Sequence, residues 1–129
     1  MRKKVLIVED EIITAMSLDL AIRVWGCQVV GMVTSGEDAI RTAEAEKPDV
    51  VLMDICLRGS IDGIGAAREI IGRLKIPVIF MTGYDDEATV RAALELKPLA
   101  FLAKPFEPNR LAEILEVGDA WVSPGSGLK

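Results

Sequence analysis

The run Val50-Val51-Leu52-Met53-Asp54 is the stretch that decides the fold of this 129-residue chain. Four consecutive apolar residues without polar alternation are typical of a strand that is buried on both faces of a parallel sheet. Comparable apolar runs occupy residues 5–8, 29–33, 78–81 and 99–103. The sequence therefore predicts five short strands of the kind that a parallel sheet buries.

Amphipathic stretches of helical length lie between these runs. We expect helices over residues 12–25, 39–46 and 64–74, a fourth from residue 85 to the Lys97-Pro98 break, and a fifth from Glu107-Pro108 to about residue 117. Parallel neighbours need such crossover helices, and the crossovers are right-handed. The pattern predicts a doubly wound α/β domain, with a five-stranded parallel sheet in the flavodoxin-like order 2-1-3-4-5 and helices on both faces.

The composition limits the classes of protein to which this chain can belong. Half of its residues are hydrophobic and the mean hydropathy is +0.32, which excludes disorder as the overall state. The net charge of −5 and the pI near 4.8 argue against direct binding of nucleic acid. The chain has no histidine, so by itself it forms no Ser-His-Asp triad and no histidine-ligated metal site.

The two ends and the cysteines bear on location and domain extent. The basic, then apolar start is interrupted at Glu9-Asp10-Glu11, so we expect neither export nor a membrane span. Cys27 and Cys56 form no C-x-x-C pair and suit a reducing, cytoplasmic setting. We expect one domain over residues 1–118, followed by a flexible, turn-rich tail over residues 119–129.

Polar residues follow four of the five apolar runs, at the points where the strands end. They are Glu9-Asp10, Asp54, Thr82 and Lys104. The carboxyl ends of parallel strands meet at one edge of the sheet, where open α/β sheets bind ligands. Clustered carboxylates favour Mg²⁺ or a similar hard cation, and a lysine with a hydroxyl suits phosphoryl oxygens. Asp54, alone at the end of a central strand, is the candidate nucleophile for an aspartyl phosphate.

In this order, these residues resemble the receiver domain of bacterial two-component response regulators. The resemblance covers residues 3 to about 117 and rests on Val5-Leu6-Ile7-Val8-Glu9-Asp10-Glu11, Leu52-Met53-Asp54-Ile55, Asp62-Gly63, Met81-Thr82-Gly83 and Lys104-Pro105-Phe106. It implies a cytoplasmic signalling switch that receives a phosphoryl group from a histidine kinase or a histidine phosphotransfer protein. Such a switch catalyses its own phosphorylation and dephosphorylation with Mg²⁺, and it is not an enzyme with a separate substrate.

The resemblance assigns roles at the phosphoryl and metal sites. Asp54 matches the phosphoacceptor, and Glu9 with Asp10 matches the acidic pair that holds Mg²⁺. The backbone carbonyl of Cys56, two residues after the acceptor, matches a further metal ligand. The family therefore implies a Mg²⁺ site made by Glu9, Asp10, Asp54 and the Cys56 carbonyl. Asp62-Gly63 is interpreted as structural, an aspartate-glycine turn that caps the next helix.

Other matches concern the conformational switch. Thr82 matches the hydroxyl that moves toward the phosphoryl group, Lys104 the cation that pairs with it, and Phe101 the aromatic residue that reorients with Thr82. The family also makes Lys104-Pro105 a candidate cis peptide. The implied switch is a biased two-state equilibrium, read out on the fourth helix, fifth strand and fifth helix by a downstream target that the sequence does not name. We expect a monomer or a weak homodimer, either as a stand-alone receiver or as part of a longer protein.

Three positions and three rival functions qualify this interpretation. Cys56 is an unusual neighbour for the acceptor and could alter phosphoryl lifetime, Tyr84 could partly cover the pocket, and Phe101 replaces a tyrosine and so has no hydroxyl. The rivals are a flavin binder of the same fold, a metal-dependent phosphatase with an aspartyl nucleophile, and a receiver that binds partners without phosphorylation. The phosphatase would want a carboxylate at the Cys56 position.

Overall fold

Strands and helices alternate along the residues that the computed structural model describes, which are 2–57, 59–83 and 86–117. The strands are β1 (Lys4–Val8), β2 (Gln28–Val33), β3 (Val50–Asp54), β4 (Val78–Thr82) and β5 (Ala100–Ala103). The helices are α1 (Ile12–Val24), α2 (Gly36–Glu46), α3 (Gly63–Gly72), α4 (Glu87–Glu95) and α5 (Pro108–Leu115). The expected tail over residues 119–129 and Tyr84 lie outside the described residues. Within the described ranges, no helix is long and apolar enough to span a membrane.

The five strands form one parallel sheet in the order β2-β1-β3-β4-β5, as the sequence predicted. Every residue of β3 is buried, which explains why its sequence shows an apolar run without alternation. In the register, Val8 pairs with Met53 and Asp54 pairs with Met81. The carboxyl ends of β1, β3 and β4 are therefore nearly level, so the residues that follow them share one edge of the sheet.

Two apolar layers cover the sheet, one on each face. On one face, α2, α3 and α4 pack on side chains such as Leu6, Met53 and Phe80. On the other face, α1 and α5 pack on side chains that include Ile7 and Leu52. Successive strand residues alternate between the two layers because strand side chains point alternately to opposite faces. The doubly wound architecture is confirmed.

The observed helices differ from the predicted ones at their ends. The amphipathic stretch over residues 39–46 is opened by Ser35, whose hydroxyl accepts a hydrogen bond from the Asp38 N–H at 3.1 Å, so α2 begins at Gly36. Helix α5 ends at Leu115, because Glu116 takes a left-handed conformation with φ 62°. The first helix ends at Val24 and the third at Gly72, each short of its predicted end. These corrections leave the strand ends in place.

The turn between β3 and α3 brings backbone unusually close to backbone. Asp62 caps α3 by accepting a hydrogen bond from the Gly65 N–H at 2.8 Å, the structural role that the sequence predicted for it. A Cβ atom at Gly63 would lie 2.2 Å from the carbonyl oxygen of Asp54. Glycine is therefore needed at position 63 for α3 to start directly behind the end of β3.

Candidate functional site

Glu9 and Asp10 follow β1 directly and extend it over the carboxyl edge of the sheet. The Glu9 N–H donates to the carbonyl oxygen of Val33 at 3.0 Å, which prolongs the ladder with β2. This pairing holds the Glu9 side chain against the sheet, with 1% of the residue exposed. Asp10 is partly exposed beside it. One carboxylate is thus buried and the other faces the solvent side of the edge.

Asp54 is the last residue of β3, and its carboxylate is almost fully buried. Its Oδ1 atom accepts a hydrogen bond from the backbone N–H of Cys56 at 3.0 Å. Its Oδ2 atom lies 3.3 Å from the Lys104 Nζ atom. The two oxygens therefore have different environments, one fixed by the backbone and the other facing a cation.

Lys104 connects the two buried carboxylates. Its Nζ atom lies 2.7 Å from Glu9 Oε1 and 3.3 Å from Asp54 Oδ2. Its position is set by the backbone, because the Lys104 N–H donates to the Thr82 carbonyl oxygen at 2.7 Å and extends the β4–β5 ladder. The Lys104-Pro105 peptide bond is cis, the isomer that the resemblance implied. Residues that are 95 positions apart in the sequence thus form one ion pair.

The electrostatics of this group follow from burial and from the close charges. Burial raises the pKa of Glu9 above its ordinary value, and the neighbouring Asp54 carboxylate adds to the rise against the lowering effect of the Lys104 hydrogen bond. Burial lowers the pKa of Lys104, but attraction to Glu9 and Asp54 outweighs it, so the net pKa is raised. The lysine therefore stays charged and partly neutralises the two carboxylates.

The carboxylates of Glu9, Asp10 and Asp54 suit a hard divalent cation. One oxygen from each lies within 4.8 Å of the others, a spacing at which a single ion could contact all three. Carboxylate oxygens without nitrogen or sulfur ligands are the donors that Mg²⁺ prefers. Asp10, Cys56, Gly83 and Lys104 line an open depression next to Asp54. The depression leaves room for a small anionic group beside Asp54.

Thr82 and Phe101 lie on strands next to this group. Thr82 ends β4, is fully buried and pairs with Ala103 of β5. Two residues before this pair on their strands, Phe80 of β4 pairs with Phe101 of β5. Phe101 is partly buried on the face of the sheet that α2, α3 and α4 cover. Because side chains two residues apart on a strand share a face, Thr82 and Phe101 point to the same side of the sheet. Cys56 is exposed, with a free thiol, on the loop after β3.

Comparison with known families identifies the chain. Residues 5–116 match the model of the response regulator receiver domain. The chain belongs to this family. Receivers are phosphorylation-dependent switches of two-component signalling, which is the class that the acidic edge indicated.

Relatives of this receiver agree in sequence and in fold. It is 35% identical over 115 residues to the transcriptional regulatory protein PdtaR of Mycobacterium tuberculosis, a match that covers 89% of this chain and 56% of PdtaR. The chain spans only 42–56% of the length of the first curated relatives that it matches. In structure it is similar to the signal receiver domain of a modulated diguanylate cyclase from Desulfovibrio desulfuricans, with 34% identity, a TM-score of 0.86 and 90% and 92% of the two chains covered.

A further solved relative bears on the metal. The receiver domain of the sensor histidine kinase PA1611 from Pseudomonas aeruginosa holds a magnesium ion in its active-site cleft. It is 30% identical to this receiver, with a TM-score of 0.79 over 95% of this chain and 98% of that one. Together with the observed spacing of the carboxylates, this similarity is a reason to test whether the chain binds Mg²⁺.

The structure brings together most of the predicted site residues and adds contacts that the sequence did not indicate. Glu9, Asp10, Asp54 and Lys104 converge, whereas Phe101 packs against the hydrophobic core. A hydrogen bond from the Ser60 hydroxyl to Glu37, which joins the loop after β3 to α2, was not predicted. The only available signal was a hydroxyl next to Gly59, which many surface loops share.

Proposed function

We propose that this receiver is switched by phosphorylation of Asp54, and that Glu9, Asp10 and Lys104 make the transfer possible. The supporting observation is the asymmetric environment of the Asp54 carboxylate. Its Oδ1 atom is held by the Cys56 N–H at 3.0 Å, while its Oδ2 atom faces the Lys104 ammonium at 3.3 Å. Oδ2 is therefore the oxygen that would attack a phosphoryl donor, because it faces the cation while the backbone holds Oδ1.

The transfer uses positioning and charge more than covalent chemistry. Asp54 Oδ2 forms a bond to phosphorus while the bond from phosphorus to the donor breaks. The leaving group is acetate from acetyl phosphate, or a neutral imidazole from a phosphohistidine whose other ring nitrogen already carries a proton. Lys104 stays charged because its pKa is raised, so its ammonium can pair with a phosphoryl oxygen as negative charge approaches Asp54. The Cys56 N–H keeps the carboxylate from rotating away from the donor.

A divalent cation belongs to this proposal. Glu9, Asp10 and Asp54 would hold Mg²⁺ through carboxylate oxygens, and the Cys56 carbonyl would be a further ligand. Mg²⁺ in this site would neutralise part of the charge on the phosphoryl oxygens. Its carboxylate ligands must be ionised to bind, and burial opposes the ionisation of Glu9.

Thr82 and Phe101 are the proposed elements of the conformational switch. Thr82 is fully buried at the end of β4, one strand away from Asp54, and shares a sheet face with Phe101. A phosphoryl group on Asp54 would attract the Thr82 hydroxyl, and the vacated space would change the packing of Phe101. Thr82→Ala should accept the phosphoryl group but fail to change the α4–β5–α5 face.

Partners and extent complete the proposal. A histidine kinase or a histidine phosphotransfer protein is the proposed donor, because the chain has no histidine of its own. The receiver would occupy residues 1–118, act in the cytoplasm and hydrolyse its own aspartyl phosphate. Its target would bind the α4–β5–α5 face and not a nucleic acid, in keeping with the net charge of −5.

Intact mass spectrometry tests the proposal. The protein is incubated with Mg²⁺ and acetyl phosphate, beside Asp54→Ala and a control, Asp38→Ala, whose carboxylate is exposed on α2 and pairs with Arg41. We expect one added phosphoryl group in the parent and in the control, and none in Asp54→Ala. Loss of the adduct from the control as well, or its retention in Asp54→Ala, would assign the acceptor elsewhere.

A further inference from the structure

Helix α1 exposes five large apolar residues, which we call the α1 stripe. They are Ile12, Ile13, Met16, Leu20 and Val24, each between 57% and 77% exposed. Across the described residues, large apolar side chains with comparable exposure occur elsewhere only at Met32, Leu94 and Leu99, which belong to different elements. Exposed apolar side chains are thus concentrated on one helix.

The α1 stripe is continuous and lies away from the core. Successive residues of an α-helix are separated by about 100° around the axis, so the five side chains fall within a sector of about 120°. The buried residues Ala15, Leu18 and Ile22 occupy the opposite side of the same helix. A helix that is apolar on both sides normally packs on both sides. The sheet covers one side of α1, and the other is open to solvent.

We infer that the α1 stripe is the contact between two copies of this chain. A stripe on a single straight helix can face its own copy across a twofold axis, because an isologous contact needs only one patch. With the helices antiparallel and centred near residue 18, Met16 would meet Leu20 of the second copy, and Ile12 would meet its Val24. Large residues then face large residues along about three helical turns.

The area of the α1 stripe matches a weak dimer. The five side chains expose on the order of 500 Å² of apolar surface. Two copies would therefore bury about 1,000 Å² in total, which is the lower limit for a specific interface. This predicts weak, reversible association.

Charges at the border of the α1 stripe permit such an approach. Asp19 and Arg23 border it and form an ion pair at 2.7 Å, so two copies would bring neutral pairs together. The net charge of −5 on each chain opposes association at low ionic strength. Added salt should screen that repulsion and leave the apolar contact intact. A dimer formed by the α1 stripe therefore strengthens as salt increases.

Sedimentation velocity over about 1–500 μM protein tests the inference. We expect a concentration-dependent dimer that strengthens between low and moderate salt and is lost in Leu20→Glu. The control is Leu94→Glu, because Leu94 is 51% exposed on α4 and lies outside the α1 stripe. Circular dichroism and urea titration establish that both variants fold, as expected for solvent-facing positions.

Three results would overturn the inference. One is a monomer across the whole concentration range, and another is a dimer that survives Leu20→Glu. The third is a dimer lost in Leu94→Glu but not in Leu20→Glu, which would place the contact on α4. If the protein is monomeric and Leu20→Glu slows transfer from a histidine-containing donor protein, the α1 stripe binds the donor protein and not a second copy. The sedimentation measurements need no phosphorylation, so they are independent of the function proposed for Asp54.

Discussion

The two edges of the sheet differ in how far their charged side chains are buried. At the carboxyl edge, Glu9 and Asp54 are buried and Lys104 lies between them. At the amino edge, Lys47 and Lys97 follow the ends of α2 and α4, exposed to water and with a left-handed backbone. Exposed charges contribute little to stability, whereas buried charges are costly unless they are paired. The difference separates the candidate site from exposed charges that follow helix ends.

The comparison predicts that changes at the carboxyl edge have large effects and that changes of the same type elsewhere have small ones. The largest effect should come from Gly63→Ala, because its Cβ would lie 2.2 Å from the Asp54 carbonyl oxygen and 2.7 Å from the Ile55 Cα. Both neighbours are backbone atoms, so the turn would have to move. We expect a loss of about 3 kcal/mol in the free energy of unfolding, measured by urea titration.

Gly72→Ala is the matched control for that change. Gly72 ends α3, and a Cβ there would meet no heavy atom within 4 Å. Alanine favours helix over glycine, so we expect an unchanged protein or a gain of up to about 1 kcal/mol. Equal losses of stability in the two variants would show that the nearby backbone of Asp54 and Ile55 does not exclude a side chain at position 63.

Lys104→Met should have the next largest effect, on the rate of phosphorylation by acetyl phosphate. The substitution keeps the length of the side chain but removes the ammonium that faces Asp54 Oδ2. Loss of one charged group at a developing charge slows such reactions by about 100-fold. The control, Lys97→Met, removes an exposed cation from the amino edge and should leave the rate unchanged. If both variants were phosphorylated at similar rates, Lys104 would have no role in the transfer.

Much of the carboxyl edge could be predicted from the sequence, because parallel topology forces strand ends together. Once the runs before Glu9, Asp54, Thr82 and Lys104 are recognised as parallel strands, their following residues must share an edge. The 2.7 Å contact between Lys104 and Glu9 could not be predicted, because it depends on the backbone bond from Lys104 to Thr82. A sequence pattern predicts which residues lie close together, but the contacts of each side chain depend on the tertiary structure.

Helix α1 shows where periodicity fails. Apolar residues at helical spacing correctly predicted a helix near residues 12–25. The same spacing did not distinguish the buried Leu18 and Ile22 from the exposed Leu20 and Val24, because α1 has apolar residues on two sides. Periodicity identifies the helix, but only packing against the sheet shows which side is covered. The α1 stripe was therefore visible in the sequence but not recognisable as exposed.

A smaller effect is expected from Glu9→Gln on stability without Mg²⁺. Because the pKa of Glu9 is raised on folding, its stabilising contribution is complete below the unfolded pKa and is lost as pH rises through the folded value. At pH 7 the buried carboxylate therefore carries a cost that glutamine removes. We expect Glu9→Gln to be more stable than the parent at pH 7 in urea titrations.

The pH dependence sharpens this prediction. The gain should shrink as the pH falls below the unfolded pKa of Glu9, where the side chain of the parent is protonated in both states. Glu95→Gln, at an exposed glutamate on α4, should show no such difference at either pH. A Glu9→Gln variant that is less stable than the parent at pH 7 would mean that the bond from Lys104 outweighs burial.

The smallest effect is expected at Lys47, on the amino edge. Lys47 has φ 49°, a left-handed conformation that glycine adopts without a steric penalty. Lys47→Gly should therefore change the free energy of unfolding by less than about 1 kcal/mol, and in the stabilising direction. It should leave the rate of phosphorylation unchanged. A slower rate would mean that the two edges are coupled, and the contrast between them would fail.

The most direct test of the central claim is to locate the phosphoryl group chemically. After incubation with acetyl phosphate and Mg²⁺, borohydride reduces an aspartyl phosphate to homoserine, and peptide sequencing by mass spectrometry identifies the changed residue. We predict homoserine at position 54, with Glu9, Asp10 and Asp62 unchanged. Homoserine at another aspartate, or none despite a phosphoryl adduct in the intact protein, would contradict the assignment of Asp54 as the acceptor.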